Sequence, residues 1–328
     1  MTVQLDDGSV GLSAFLGDDE ATFEQVVGDR TAGPVAVVGS PFGGREAVLA
    51  RAAERLDAPL VRFDAGTDAG DAVDAVGALD GGPVVVEGCH HLYTREIGGF
   101  RPLSRFLDSL AETETTVVTG WNRFAWSYLD SVRDTGTVVP THVEVDTLSA
   151  EAIAAVVEAN TSRRPTFRRE ETDANPLTVR RRETTVAGRT VSVPVPAVDR
   201  EALIARRTED LDPKTAVFQQ LASVSGGNPG AALAIWERCV DDEVRPTDIE
   251  APKIDVDLDR EAAFCLRLVL STERVDRATL TERIGPRTPR LLGQFARADV
   301  LVSENGVVRL EPAGVPAAIA ATDWRGVI

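Results

Sequence analysis

The residues best placed to do chemistry lie in Val35-Ala-Val-Val-Gly39-Ser-Pro-Phe-Gly43-Gly44-Arg45-Glu46. An apolar run, a glycine-rich turn and a helix-forming stretch follow one another here, which is the frame of a phosphate-binding loop. That frame requires G-x-x-x-x-G-K-[S/T]. Gly39 and Gly44 have the required spacing. In such a loop, backbone N–H groups curl around an anion and the helix N-terminus adds a favourable dipole. The Lys reaches the β- and γ-phosphates, and the hydroxyl ligates Mg²⁺. Here the Lys position holds Arg45, a planar fork instead of a compact point charge. The hydroxyl position holds Glu46, whose carboxylate would repel a polyphosphate. The geometry of a nucleotide site is kept while two of its chemical positions are altered.

A second chemical cluster is Val84-Val85-Val86-Glu87-Gly88-Cys89-His90-His91, an apolar strand ending in a carboxylate. Cys89, His90 and His91 are adjacent and cannot easily aim at one ion, and His142 is the remaining histidine. No metal site is expected from them. A third group is cationic. Arg163, Arg164, Arg168, Arg169 and Arg180 to Arg182 cluster in one stretch, and Arg287, Arg290 and Arg297 in another. Either set could contact phosphate, or could pair with the protein's own acidic surface.

These positions need elements to hold them. Short apolar runs at 35–38, 60–63, 83–87, 115–119 and 142–145 alternate with helical patterns at 44–56, through Val73, Val76 and Leu79, at 102–112 and at 123–132. Strands alternating with helices predict an α/β fold with a parallel sheet and helices on both faces. Strands without alternation fit a sheet buried on both sides. After residue 147 helices dominate. Ser149 caps one that runs to Asn160, residues 161–200 read as an Arg-rich, partly extended insertion with a hairpin at Ala187-Gly188, and helices follow at 201–208, 213–223 and 230–239. Asn228 before Pro229 reads as a helix start. An acidic linker is expected at 241–257. Three helices and a hairpin turning at Asn305-Gly306 then give residues 258–328 a winged-helix pattern. The domains are thus 1–147, 148–240 and 258–328.

Composition narrows the classes. The chain has 328 residues, 43% of them hydrophobic, and a net charge of −17. Lysine is nearly absent (Lys214 and Lys253), and acidic surfaces of this kind resemble those of salt-loving archaeal proteins. Against this background, residues 161–207 carry 11 Arg against 6 Asp and Glu, and residues 258–328 carry 10 against 9. An anionic partner, DNA or an acidic protein, would be sought there. No apolar run of about 18 residues predicts a membrane span, and the first seven residues lack a secretory signal pattern. Three scattered cysteines fit a reducing cytoplasm.

Together the motifs resemble the AAA+ and STAND groups of P-loop NTPases over residues 15–240, followed by a winged helix. Phe15-Leu16-Gly17 resembles their N-terminal motif, and the strand ending at Glu87 resembles their Walker B strand. The resemblance places Glu87 at the Mg²⁺-organising position and Gly88 where the water-activating carboxylate belongs, so the general base is missing. It makes Asn122 a γ-phosphate sensor, although a helix cap serves equally, and Arg133 an arginine finger, although a solvated residue serves equally. It makes Gly227-Asn228-Pro229 the lid motif, with Pro229 at the nucleotide. The binding set would be Gly39, Gly43, Gly44, Arg45, Glu46, Glu87, Asn122 and Pro229, the cofactor ATP or ADP with magnesium, weakly held. Three functions follow: a regulator or scaffold without effective hydrolysis, in which Arg45 pairs with Glu46 or Glu87; a working ATP switch; and a DNA-binding regulator using Arg287, Arg290 and Arg297. Protein partners through the Arg-rich insertion fit any of these.

Overall fold

A computed structural model describes residues 10–28, 33–64, 70, 82–169, 177–186, 189–254 and 258–323. Among them, strands β1 (Pro34–Gly39), β2 (Leu60–Arg62), β3 (Val84–Glu87), β4 (Val117–Asn122) and β5 (Thr141–Glu144) form one parallel sheet in the order β2-β3-β4-β1-β5. Consecutive side chains enter opposite cores, as the pleat requires. Val37, Val85 and Val118 join one core with Leu49, Val217 and Trp236. Ala36, Val38, Val84 and Val86 join another with Leu103, Phe106 and Leu129. The fold is therefore α/β, with helices on both faces of the sheet.

The short helices α1 (Leu12–Leu16) and α2 (Glu20–Gly28) precede the sheet and have no counterpart in the sequence reading. Helices α3 (Arg45–Leu56), α4 (Arg101–Ala111) and α5 (Arg123–Arg133) lie where the apolar periodicity put them, within a residue or two. The helical pattern through Val73, Val76 and Leu79 lies outside the described residues. A further short helix, α6 (Thr135–Val138), leads into β5.

Beyond the sheet come α7 (Ala150–Asn160), α8 (Arg200–Thr208), α9 (Pro213–Ser225) and α10 (Pro229–Cys239). Ser149 Oγ accepts from Ala152 N at 3.3 Å at the start of α7. Phe218 and Trp236 stack with ring centroids 5.2 Å apart, fixing α9 against α10. Between α7 and α8, β6 (Thr166–Phe167) precedes an antiparallel pair, β7 (Leu177–Val186) and β8 (Arg189–Val198). The turn residues 187 and 188 lie outside the described residues.

The segment expected to be an acidic linker is more than that. Its β9 (Glu243–Val244) pairs with β6, and Val244 and Ile249 are fully buried in the first core. The acidic residues that dominate its composition occupy the outer side of a chain whose few apolar residues face inward. The expected anion-seeking role of the nearby arginines is also altered. Arg163 donates to the Glu237 and Val240 carbonyls at the C-terminus of α10, Arg164 to the Thr161 carbonyl at 2.6 Å, and Arg169 to the Leu211 carbonyl at 3.3 Å. Arg168 pairs with Glu243 at 2.6 Å. Guanidinium groups suit helix C-terminal carbonyls by charge, as at Arg163 and Arg164, and all four arginines have partners within the fold.

The C-terminal unit runs α11 (Arg260–Thr272), β10 (Arg274–Asp276), α12 (Arg277–Ile284), α13 (Thr288–Arg297), β11 (Leu301–Glu304), β12 (Val307–Leu310) and α14 (Val315–Asp323). Asn305 and Gly306 both have positive φ (51° and 81°), as a two-residue hairpin turn demands. The sequence reading has no β10, which adds a third strand beside β12. Leu266, Val269, Phe295 and Val308 form the core of this unit, and Phe124 from α5 enters the same core. The unit is thereby packed onto the sheet domain. No described helix is long and apolar enough to cross a membrane.

The start of α10 lies against the turn after β1. Gly230 N donates to the Phe42 carbonyl at 3.1 Å, and Asn228 Nδ2 to the Pro41 carbonyl at 2.8 Å. A Cβ on residue 230 would stand 2.5 Å from the Phe42 Cβ. Gly230→Ala is expected to lower stability by about 1–3 kcal/mol through overpacking. Denaturant unfolding in molar KCl measures this, and an unchanged midpoint would mean that helix and loop are not held together.

Candidate functional site

The glycine-rich turn after β1 brings Arg45 to the first position of α3, at the C-terminal edge of the sheet where ligands of α/β folds bind. Gly43 N closes the turn on the Ser40 carbonyl at 3.0 Å, and Gly44 packs under the Phe15 ring. A cleft of about 1560 Å³ opens here between the loop, α10 and the C-terminal unit, with Gly43, Gly44, Arg45, Glu87, His90 and Glu273 among its walls.

Arg45 is only 4% exposed. Its Nε donates to Glu87 Oε1 at 3.0 Å, its Nη2 to the same oxygen at 2.7 Å, and its Nη1 to the Gly39 carbonyl at 3.3 Å. Nη2 also meets Glu273 Oε1 at 3.0 Å, across to the C-terminal unit. All three guanidinium nitrogens are therefore engaged by the protein. Burial opposes the charge on Arg45, but Glu273 and Glu87 outweigh it and hold the guanidinium more firmly protonated than usual. Of the two carboxylates considered for Arg45, Glu87 is the partner. Glu46 stands at the rim, its carboxyl raised by partial burial and then by the charge of Glu87, with Arg62 and Arg45 acting in the other direction.

Glu273 has no counterpart in the sequence reading. It follows α11 in a positive-φ conformation (59°), rare for a residue with a side chain, and its N–H is tied to the Val269 carbonyl at 2.8 Å. Its carboxylate accepts from Arg45 and from Asn122 Nδ2 at 2.9 Å, and lies 3.6 Å from His90 Nε2. Burial works to raise its pKa, but Arg45 above all, then His90 and Asn122, bring it down to about 2.

Asn122 is a helix cap. Its Oδ1 accepts from Phe124 N at 2.9 Å and Ala125 N at 3.4 Å, capping α5. Its Nδ2 donates to Glu273 and, at 2.8 Å, to the Leu270 carbonyl. The donor that the family resemblance would aim at a γ-phosphate is aimed at the end of α11. Gly88 has φ 84°, and a Cβ there would stand 2.4 Å from the Phe63 carbonyl oxygen. A carboxylate-bearing side chain does not fit at that position without moving the backbone.

The remaining positions separate. Pro229 opens α10 behind Asn228, whose Oδ1 caps the helix through Ala231 N at 3.0 Å. Arg133 is exposed, with its guanidinium 4.6 Å from the Phe100 ring centroid, and does not line the cleft. Arg287 is held by Asp259 at 2.5 Å and Glu261 at 2.6 Å, while Arg290 and Arg297 are exposed on α13. His90, 1% exposed, is the other residue at the site whose setting sequence could not foretell. Neither ring nitrogen has a hydrogen-bond partner, and burial holds its pKa well below the ordinary value, against the pull of Glu273. Burial likewise lowers His91. Both histidines follow β3 in plain sequence, but only the fold reveals that the C-terminal unit covers them.

No family description matches this chain, and no curated protein does. Among solved structures, it is similar to the RuvB Holliday junction branch migration motor of Thermotoga maritima (13% identity, TM-score 0.40, covering 91% of this chain and 93% of that one). It is also similar to a signal transduction ATPase with numerous domains, bearing a tetratricopeptide repeat sensor, from Pyrococcus horikoshii (11%, TM-score 0.37, 95% and 43%). A third is the Aeropyrum pernix Orc1 protein in complex with DNA (13%, TM-score 0.34, 96% and 95%). Identities and TM-scores this low carry no residue roles across, and what the site does has to come from its own geometry.

The histidines give the site a pH dependence. Their folded pKa values lie below the ordinary 6.5, so the unfolded chain takes up protons first on acidification. The stability of the neutral, buried form is present above pH 6.5 and is lost as pH falls below it. The expected slope is up to about 1.4 kcal/mol per pH unit for each histidine. Denaturant melts between about pH 7.5 and about pH 5.5 (about one unit to each side of the ordinary value) at constant KCl measure it. The His90→Leu variant should show a shallower slope, and an equal slope in both proteins would refute the assignment.

Proposed function

We propose that this protein is a regulator or scaffold on the AAA+/STAND ATPase frame, with nucleotide held weakly and hydrolysis absent or ineffective. The observation that carries the reading is the engagement of Arg45. The one cation that the loop offers to a phosphate is bound by Glu87, the Gly39 carbonyl and Glu273. Two carboxylates against one guanidinium leave a net negative charge, which disfavours a polyanion. ATP with magnesium fits these residues poorly. No hydroxyl follows Arg45, Glu46 sets a carboxylate in the first turn of α3, and Gly88 has no room for a base. The active-switch reading would need Arg45 to release both carboxylates.

On this reading residues 1–147 are the ATPase-type domain, 148–240 the lid and 258–328 a winged helix. The contacts of α10 with the Pro41 and Phe42 carbonyls support a lid that rests on the loop. The acidic surface and the free cysteines agree with a salt-rich, reducing cytoplasm. Millimolar ATP with Mg²⁺ in molar KCl is expected to give no clear calorimetric isotherm and no phosphate release above background. A saturable isotherm with turnover would reject the proposal.

DNA contact by the winged helix is a second reading, favoured by one observation. Arg290 and Arg297 are exposed on α13, two turns apart and so on one side. Arg287, engaged by Asp259 and Glu261, is less available. Replacing Arg290 and Arg297 together with Ala is expected to reduce the salt slope of duplex binding by about 2. An unchanged slope and affinity would exclude α13 as the contact.

A further inference from the structure

We propose that Glu273 is an internal occupant of the anion position beside Arg45, so that docking of the C-terminal unit and binding of a phosphorylated small molecule exclude each other. This rests on the reading that the loop's cation is withdrawn from nucleotide, and it names what withdraws it.

The argument starts from the guanidinium. Nε and Nη2 face Glu87, Nη1 faces the Gly39 carbonyl, and the second contact of Nη2 is Glu273. An incoming phosphate must therefore displace a carboxylate. Glu87 ends a central strand and is 8% exposed. Glu273 belongs to a separate unit, and its side chain is 25% exposed. It is the partner that can leave. Exchanging Glu273 for a phosphate oxygen replaces one anion with another, so Arg45 keeps its full complement of charge-assisted hydrogen bonds. Asn122 Nδ2, which now donates to Glu273, would be released toward the same ligand.

Two features mark the docked state as poised. Glu273 sits at φ 59°, a conformation that persists in a residue with a side chain only when the surroundings enforce it. His90 is buried beside it with neither ring nitrogen partnered, although a neutral imidazole carries one donor and one acceptor. Undocking relaxes the first and opens the second to water or to a phosphate oxygen. The same movement would separate Phe124 from the C-terminal core and break the contacts of Arg283 with Glu96 (2.7 Å) and the Arg95 carbonyl (2.5 Å). The C-terminal unit is thus held over the loop by a carboxylate that mimics the ligand.

The test uses the full chain in molar KCl with ADP and inorganic pyrophosphate as probes. Affinity is measured for the parent, Glu273→Gln, Glu273→Ala and the Arg45→Ala/Glu273→Ala double variant. Hydrogen exchange across 123–129 and 262–270 reports docking. Both single variants are expected to bind the probes at least tenfold more tightly, about 1.4 kcal/mol or more, with faster exchange at both faces. The double variant should lose the gain. In the parent, probe raised until its weak binding saturates, well above the millimolar nucleotide of the turnover test, should itself accelerate exchange at those faces, a readout that needs no variant to fold. Faster exchange in the single variants without any gain in affinity would overturn the competition while leaving the non-hydrolysing reading intact. ATP turnover by the parent would instead remove that reading. A parent whose docking faces stay protected at saturating probe also overturns the proposal.

Discussion

A single buried guanidinium, shared between two carboxylates from different parts of the chain, is the constraint around which the molecule is arranged. Arg45 could not be buried alone. A buried cation needs a partner, and removing one member of such a set costs about 3–5 kcal/mol. Glu87 supplies the first partner from the end of β3, and Glu273 supplies the second from beyond α11. The local contact explains why strand and helix meet at the loop, and the distant one ties the C-terminal unit to the sheet. The C-terminal end of α11 points its Leu270 carbonyl at the same site through Asn122. Glu273 follows the C-terminus of α11 and Arg45 opens α3, each at the end that its own helix dipole disfavours, so their pairing offsets an unfavourable charge at both termini.

That geometry separates what a phosphate-binding loop needs for shape from what it needs for chemistry. The turn, the helix start and the parallel sheet are all retained, because apolar strands and a glycine-rich turn suffice to form them. In this chain the guanidinium at the loop is completed by the protein's own carboxylates, Glu87 and Glu273. Gly88 illustrates how firmly this is set. Its positive φ and the 2.4 Å approach to the Phe63 carbonyl leave no space for a side chain on this backbone. Introducing a carboxylate there requires a different backbone, a larger change than a substitution.

Much of the fold was legible in the sequence. The five apolar runs, the caps Ser149 and Asn228, and the Asn305-Gly306 turn each rest on interactions between near neighbours, and local rules locate them within a few residues. The pairing of Arg45 with Glu87 was also within reach, because Glu87 ends one strand of the sheet and Arg45 opens the helix after the loop that follows another. Glu273 was not. It is 228 positions from Arg45, in the stretch Ser271-Thr272-Glu273-Arg274, which has no pattern that distinguishes it from any solvated helix end. Its role depends on where the C-terminal unit docks, a matter of tertiary packing that Phe124 settles by inserting into the other core. The acidic segment after α10 was misread as a linker for a related reason: composition averages over faces, and the buried Val244 and Ile249 are too few to alter the average.

Electrostatics adds a further consequence. A chain of net charge −17 repels itself, and high salt reduces the repulsion between exposed charges far more than it weakens buried pairs. The exposed pairs, such as Arg168 with Glu243 and Arg200 with Glu250, lose most of their attraction in molar KCl. The Arg45 cluster, shielded from solvent, keeps most of its own. Its local charge is also odd, since Arg45 balances only one of Glu87 and Glu273. The amide of Asn122 donates to Glu273, while burial keeps His90 neutral, so that it adds no charge to the cluster. A cluster balanced in this way is more sensitive to an anion at the loop than to bulk ionic strength. The docked unit can therefore remain in place across a wide range of salt and still be open to displacement by a ligand that offers Arg45 an equivalent oxygen.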